Sequence, residues 1–444
     1  MAGRPLTILF MPESAYGPTG NCMGIGDVLQ RRGHRVVFAA ESSWSGKLST
    51  LGFVEDLVDL APPDPAASGE GLADEEQDAG QFWKDFIKQT APEFRKPTVE
   101  QLATFMQPTW QALIDGAKYC EPQLRDIIAR TQPDVIVEDN VVGFPALLTS
   151  DAPFVRIVSC NPLEIKGPGI APTYSGLPAD DSSEWESFRR EYDRTHRPMW
   201  EDFNAFVQEQ GGPPLADLEF IHESQHANLY VYPQEADYTD RRPLGKQWHR
   251  LDSSVRTTDD SFTVPPELAD RPADSGLIYL SLGSLGSADV DLMKRLVAVL
   301  GQTKHRYIVS KGPQHAEYEL ADNMWGAEFV PQTTLMPLVD LVITHGGNNT
   351  TTEAFHFGKP LVVLPLFWDQ YDNAQRVHEL GFGRRLPTYS FRDNELISAV
   401  DELLADHTLR AKLADMGAAI RSRSGKERAA DVIESVAKAG SATT

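Results

Sequence analysis

Cysteine is scarce: Cys22, Cys120 and Cys160 are the three thiols in 444 residues. So small and odd a number excludes a disulfide framework and points to a reducing, cytoplasmic setting. Basic residues are outnumbered, 41 Lys and Arg against 64 Asp and Glu, for a formal net charge of -23. A field of that sign repels a nucleic-acid backbone, and there is no basic run to hold an anionic membrane surface. No run reaches the 18 or so apolar residues of a membrane-spanning helix. The N-terminus has one short apolar stretch and no signal-peptide cleavage pattern. Histidine and cysteine nowhere take zinc-ligand spacing, so no metal site is expected. What is present is ordinary globular composition, 41% hydrophobic and 24% charged, over a length suited to two or three domains.

The chain opens with an apolar strand, PLTILFMP, and a turn containing Gly17, Pro18 and Gly20. A helix, GIGDVLQRRGH, and a second strand, RVVFAAE, follow. This βαβ start predicts a doubly wound α/β sheet. Residues 62–80 are rich in Pro, Gly and acids and read as a solvated loop. A helical region over 81–130 follows, then strands at 133–140 and 154–160, one or two amphipathic helices over 182–212 with Trp200, Phe203 and Phe206 at helical spacing, and a strand at 228–233. Residues 241–275 are polar and proline-rich, the best linker in the chain. The βαβ pattern then restarts at 277–283. The expected organisation is a first domain over 1–240, the linker 241–275, a second domain over 276–425 and a C-terminal helix or tail over 426–444.

The most informative segment is 329–377, FVPQTTLMPLVDLVITHGGNNTTTEAFHFGKPLVVLPLFWDQYDNAQRV. A strand ends at His345, and Gly346 and Gly347 let the backbone turn closely. Asn348, Asn349 and Thr350 then open a helix, where free N–H groups and the helix dipole suit an anion. Glu353 lies one turn on, placed for ribose hydroxyls. The next strand delivers Trp368, Asp369 and Gln370 to the same sheet edge, where α/β proteins bind ligands.

This segment resembles the donor signature of the nucleotide-sugar glycosyltransferases of the GT-B fold, the family of plant secondary-product and bacterial macrolide enzymes. The resemblance implies two Rossmann-like domains facing across a cleft. It implies base contact at Phe329 and Val330, nucleoside contact at Gln332, and diphosphate contact at His345, Gly347, Asn348, Asn349 and Thr350. It further implies ribose contact at Glu353 and sugar contact at Asp369 and Gln370. The strand-loop LSLGSLGS adds Ser284 and Ser287 to the diphosphate contacts. The helix start and His345 are expected to carry the diphosphate charge without a metal. The resemblance also implies that the first loop faces an acceptor.

The family's first loop has the form G-H-x-x-P, and its histidine takes the acceptor proton. Counting back from Gly33 places that position at Pro18, which has no titratable group. Asp139, after the strand VIVED, and Glu13, at the end of the first strand, are the candidate replacements. Glu138 is a weaker candidate, because strand alternation turns it away from Asp139. Tyr16, Pro18, Phe82, Phe86 and Trp368 are expected at the acceptor.

The expected activity is inverting transfer of a sugar, glucose above others, from a UDP-sugar co-substrate to a hydrophobic, natural-product-like acceptor. No other cofactor is expected. A catalytically silent homologue and a nucleotide-sugar epimerase are the alternatives. Oligomeric state is not legible in the sequence.

Overall fold

The computed structural model describes residues 4–62, 89–255 and 261–440. The first domain is built on a seven-stranded sheet of order β3-β2-β1-β4-β5-β6-β7, with every pairing parallel. Its strands are β1 Thr7–Pro12, β2 Arg35–Phe38, β3 Val54–Glu55, β4 Val135–Asp139, β5 Phe154–Val158, β6 Ala227–Val231 and β7 Trp248–Leu251. The second sheet has six strands, order β10-β9-β8-β11-β12-β13, also all parallel. These are β8 Leu277–Ser281, β9 Arg306–Ser310, β10 Met324–Ala327, β11 Leu341–Thr344, β12 Leu361–Val363 and β13 Gly383–Arg385. Strands β1, β4, β5 and β6 of the first sheet and β8, β11 and β12 of the second are buried throughout or nearly so. That explains their near-continuous apolar runs, since parallel sheets are covered on both faces.

Two elements differ from the sequence reading, and a third is settled between its alternatives. The glycine turn at 17–20 is already helical, because the first helix runs Tyr16–Arg31. Proline is tolerated in a first turn, where its missing N–H has no intrahelical partner to lose. The segment 241–275 is not all linker: β7 pairs with β6 and extends the first sheet to Leu251. Its sequence is only Trp-His-Arg-Leu, four residues with just Leu251 fully buried, and so short and half-exposed a run hides an edge strand from a composition search. The amphipathic run over 182–212 is one helix, Trp185–Glu209, with Pro198 inside it.

The chain also crosses back. Its last helix, Gly425–Gly440, buries Ala429, Ala430, Ile433, Val436 and Ala437 in the core of the first domain, against Ile8, Phe10 and Val36. Arg32 at the end of the first helix pairs with Glu427, Asp431 and Glu434 of this helix. The tail thus straps the two domains. Between them, second-domain side chains bond to first-domain backbone. Asn348 Nδ2 donates to the carbonyls of Ser159 and Val231, and Asp372 accepts from the N–H groups of Tyr174 and Gly176. Among the described residues, no helix is long and apolar enough to cross a membrane.

Candidate active site

The C-terminal ends of the central strands of both sheets open onto one cavity of about 370 Å³ between the domains. Its first-domain wall includes Glu13, Tyr16, Pro18 and Asn21 from the β1 end and first helix, Asp139 from β4, and Ser159 and Cys160 after β5. Its second-domain wall holds Gln332, His345, Gly347, Asn348, Asn349, Thr350, Glu353, Trp368, Asp369 and Gln370. Residues more than 350 positions apart therefore share one site, as crevices at parallel-sheet edges require.

On the second-domain side, no side chain caps the Asn348–His356 helix, which leaves its first turn open to an anion. His345 sits between two glycines. A Cβ at Gly347 would lie 2.6 Å from its Nε2, and one at Gly283, where φ is +71°, would lie 2.8 Å from Cε1. Burial lowers this imidazole to about 4. At neutral pH the ring is uncharged and offers an N–H, so the positive field on this wall comes from the open helix start. Deeper in, Gln332 Nε2 donates to Glu353 Oε2 at 2.5 Å, while Tyr279 donates to Gln332 Oε1 at 3.1 Å. These bonds fix the Glu353 carboxylate in the second-domain wall.

Trp368 carries φ +58°, an unusual value for a bulky residue. Its ring is held edge-on to Trp110, with centroids 4.5 Å apart, and to Tyr174 at 5.6 Å. Packing on both sides maintains the strained backbone and aims the following residues at the cleft. Asp369 Oδ2 accepts the Asn161 N–H at 2.8 Å, and Gln370 Oε1 accepts from Leu366 and Phe367 N–H. Burial raises Asp369 to about 7.

On the first-domain side, Asp139 is 2% exposed. Burial raises its carboxyl to about 7, with Glu13 adding to the rise and the Ser159 hydroxyl opposing it. Glu13 is spent locally: Ser14 Oγ donates to Oε1 and the Ala15 N–H to Oε2. Pro18 does line the cavity, so the position left without a titratable group faces the site. Glu138 instead borders a separate small cavity with His222, as strand alternation predicts.

Several expected contacts are not in the cavity wall. Phe329 is 51% exposed and Val330 packs on the core. The chain turns inward only at the Gln332–Leu335 turn, which Pro331 starts. Ser287 is buried with its hydroxyl donating to the Gly283 carbonyl, so it shapes the loop instead of facing the cleft. The Ser284 side chain, Phe82 and Phe86 lie outside the described residues. Of the later helix aromatics, Phe203 is core and Trp200 Nε1 donates to the Ala216 carbonyl. Sequence reading passed over Asn21, Ser159, Cys160 and Glu164. Ser159 and Cys160 follow the C-terminal end of a buried strand, and that position is the signal that could have found them.

The carboxyls of Asp139, Asp369 and Glu138 (about 7, about 7 and about 8) all stand above their ordinary values because of burial. A raised folded pKa gives stability that is full below the unfolded value, about 4, and lost as pH climbs through the folded one. Burial also lowers His196, His345 and His356 to about 3, about 4 and about 4, which adds stability as pH rises toward 6.5 and opposes that loss, so the protein is expected to melt at progressively lower temperature from about pH 6.5 to pH 8. Asp139→Asn should flatten that dependence. Melting curves across this range check it, and a flat or rising wild-type profile would refute it.

Together the two parallel-sheet domains and the cleft between their strand ends define the GT-B class. Residues 294–435 match the model of the erythromycin biosynthesis protein CIII-like C-terminal domain. Over 443 residues the chain is 24% identical to the NDP-glycosyltransferase YjiC of Bacillus subtilis (strain 168), covering 96% of this chain and 95% of that one. It is likewise 24% identical to the oleandomycin glycosyltransferase of Streptomyces antibioticus, covering 97% and 90%. Among solved structures, the glycotransferase of kitacinnamycin superposes with a TM-score of 0.70 at 21% identity, covering 98% of this chain and all of that one. The calicheamicin glycosyltransferase CalG4 gives 0.63 at 19%, covering 98% of each. The chain is thus similar over its length to NDP- and macrolide glycosyltransferases, and its residues 294–435 to the EryCIII-like C-terminal domain.

Proposed function

We propose that this protein transfers a sugar from a nucleoside diphosphate to a hydroxyl of an apolar, natural-product-like acceptor, with inversion and without a divalent metal. One observation carries the reading: one interdomain cavity joins Gln332, His345, Gly347, Asn349, Thr350, Glu353, Asp369 and Gln370 of the donor-type pattern to a buried carboxylate, Asp139, on the opposite wall. The names of the relatives agree with it; they include oleandomycin, zeaxanthin and sterol glycosyltransferases. Nothing specific favours a silent homologue or an epimerase.

In the proposed step the acceptor oxygen attacks the anomeric carbon in line with the leaving phosphate. Asp139 takes the hydroxyl proton as the new C–O bond forms. The anomeric C–O bond to phosphate breaks and its electrons leave with the nucleoside diphosphate. The start of the Asn348–His356 helix and the His345 N–H hold the charge that develops there. A carboxyl near 7 is matched to this task, because it is substantially ionised at neutral pH yet basic enough to take a proton. Activity should therefore fall on the acid side of about 7.

UDP is the proposed nucleotide, since the fixed Glu353 carboxylate suits a ribose bearing both hydroxyls. Glu353→Ala should weaken UDP binding by about 10–100-fold, the worth of a charged hydrogen bond. It should also erase any preference for UDP over 2′,3′-dideoxy-UDP. Calorimetry with the two nucleotides checks this, and a preference that survives the substitution would overturn the ribose role. The activity itself is tested by incubating the protein with UDP-glucose and a panel of phenols and hydroxylated macrocycles, with chelator present, and weighing the products. A product heavier by one hexose supports the reading. UDP binding without transfer from any nucleotide sugar would refute it.

A further inference from the structure

The loss of an imidazole at position 18 has a counterpart three residues on. Where the G-H-x-x-P pattern puts proline, this chain has Asn21, 3% exposed and on the cavity wall. Its amide is the centre of a chain of hydrogen bonds that crosses the cleft. Asn21 Nδ2 donates to Ser159 Oγ at 2.8 Å and to Asn349 Oδ1 at 3.0 Å. Ser159 Oγ donates onward to Asp139 Oδ2 at 2.5 Å. At the other end, Asn349 Nδ2 donates to the Gly17 carbonyl at 3.0 Å.

We propose that Asn21 and Ser159 are positioning residues that tie the donor-side Asn349 to the Asp139 carboxylate through this continuous chain. The inference rests on the reading of Asp139 as the base. Its direction follows from donor and acceptor counts. A serine hydroxyl has one proton, and Asn21 occupies its acceptor side, so the proton points at Asp139. Hydrogen bonding to the ionised form favours it. Ser159 thereby opposes burial and Glu13, the two influences that push Asp139 upward; Cys22 and Arg156 also face this carboxylate and favour its ionised form. Asn21 acts on Asn349 as well. By donating to Oδ1 it fixes which end of that amide is oxygen. The NH₂ end then lies on the Gly17 side, available to an anionic group that displaces the carbonyl. One side chain thus orients a phosphate-side donor and, through Ser159, the group that takes the proton.

The test reads the carboxyl directly and needs no turnover. The protonated Asp139 carbonyl stretch is followed by infrared titration, identified as the band absent from Asp139→Asn. In Ser159→Ala its midpoint should rise by about 1 pH unit, the loss of a hydrogen bond to a charged group. Ser159→Thr, which keeps the hydroxyl, should restore it. Asn21→Leu should raise the midpoint less and also weaken UDP binding about fivefold by calorimetry, the value of one ordinary hydrogen bond. Ser159→Ala should leave UDP binding within about twofold. Midpoints unmoved in both folded variants would overturn the chain, even if Asp139→Asn abolishes transfer. A moved midpoint with transfer intact in Asp139→Asn would keep the chain and overturn the base. Should Ser159→Ala not fold, Asn21→Leu alone decides through its two readouts.

Discussion

Asp139→Asn should lower sugar transfer by about 10²–10⁴-fold, the usual worth of general-base help, while UDP binding stays within about twofold. The substitution keeps the shape of the side chain and its place at the end of β4. What it removes is the capacity to accept a proton. Asp139 is suited to that role by its surroundings. It is buried, raised to about 7, and held from one side by the Ser159 hydroxyl. Glu13 is the alternative on the same wall, and it differs in being bonded to Ser14 and the Ala15 N–H of its own turn. Glu13→Gln should therefore cost far less than Asp139→Asn. Initial rates at saturating donor, taken from pH 5 to pH 9, check both expectations. A larger loss in Glu13→Gln would move the base to that residue. In the wild type the acid limb should lie near 7.

Gly347→Ala should weaken UDP binding by about 10²-fold or more, comparable to removing a donor from a preorganised anion site. A methyl at this position costs the backbone nothing, because Gly347 has φ -56°. The loss is steric. The new Cβ would stand 2.6 Å from His345 Nε2, a distance real Cβ atoms do not adopt. Gly283 also lies close against the ring, since a Cβ placed there would stand 2.8 Å from its Cε1, which limits how the imidazole can yield. Either the ring leaves the cavity wall or the start of the Asn348–His356 helix moves, and the anion site is lost in both cases. The fold should survive, because the crowding is confined to the cavity rim. Calorimetry of UDP binding, with a melting curve as control, decides it. Unchanged affinity would show that His345 and this helix start do not hold the diphosphate.

Much of the cavity's second-domain wall was legible because it is local. His345, Gly347, Asn349, Thr350 and Glu353 lie on one strand end and one helix turn, and a pattern of types at fixed spacing reports such a unit directly. The second sheet was legible for the same reason, as buried parallel strands are apolar throughout. Edge strands were not. β7 and β13 are only partly buried, so their composition is that of loops. Phe329 shows the limit of position counting. It occupies the expected place in the pattern, but the chain turns inward only after Pro331.

By itself the sequence determined the fold class, the motif that lines the second domain's side of the cavity and the gap at Pro18. Each is encoded in periodicity or in residues close together along the chain. Tertiary structure decided which groups face one another. That Asn21 bridges Ser159 and Asn349, residues 138 and 328 positions away, depends on how two domains close and how the last helix straps them. It also decided the charges. Burial, a property no residue has alone, lifts Asp139 toward neutrality and leaves His345 uncharged.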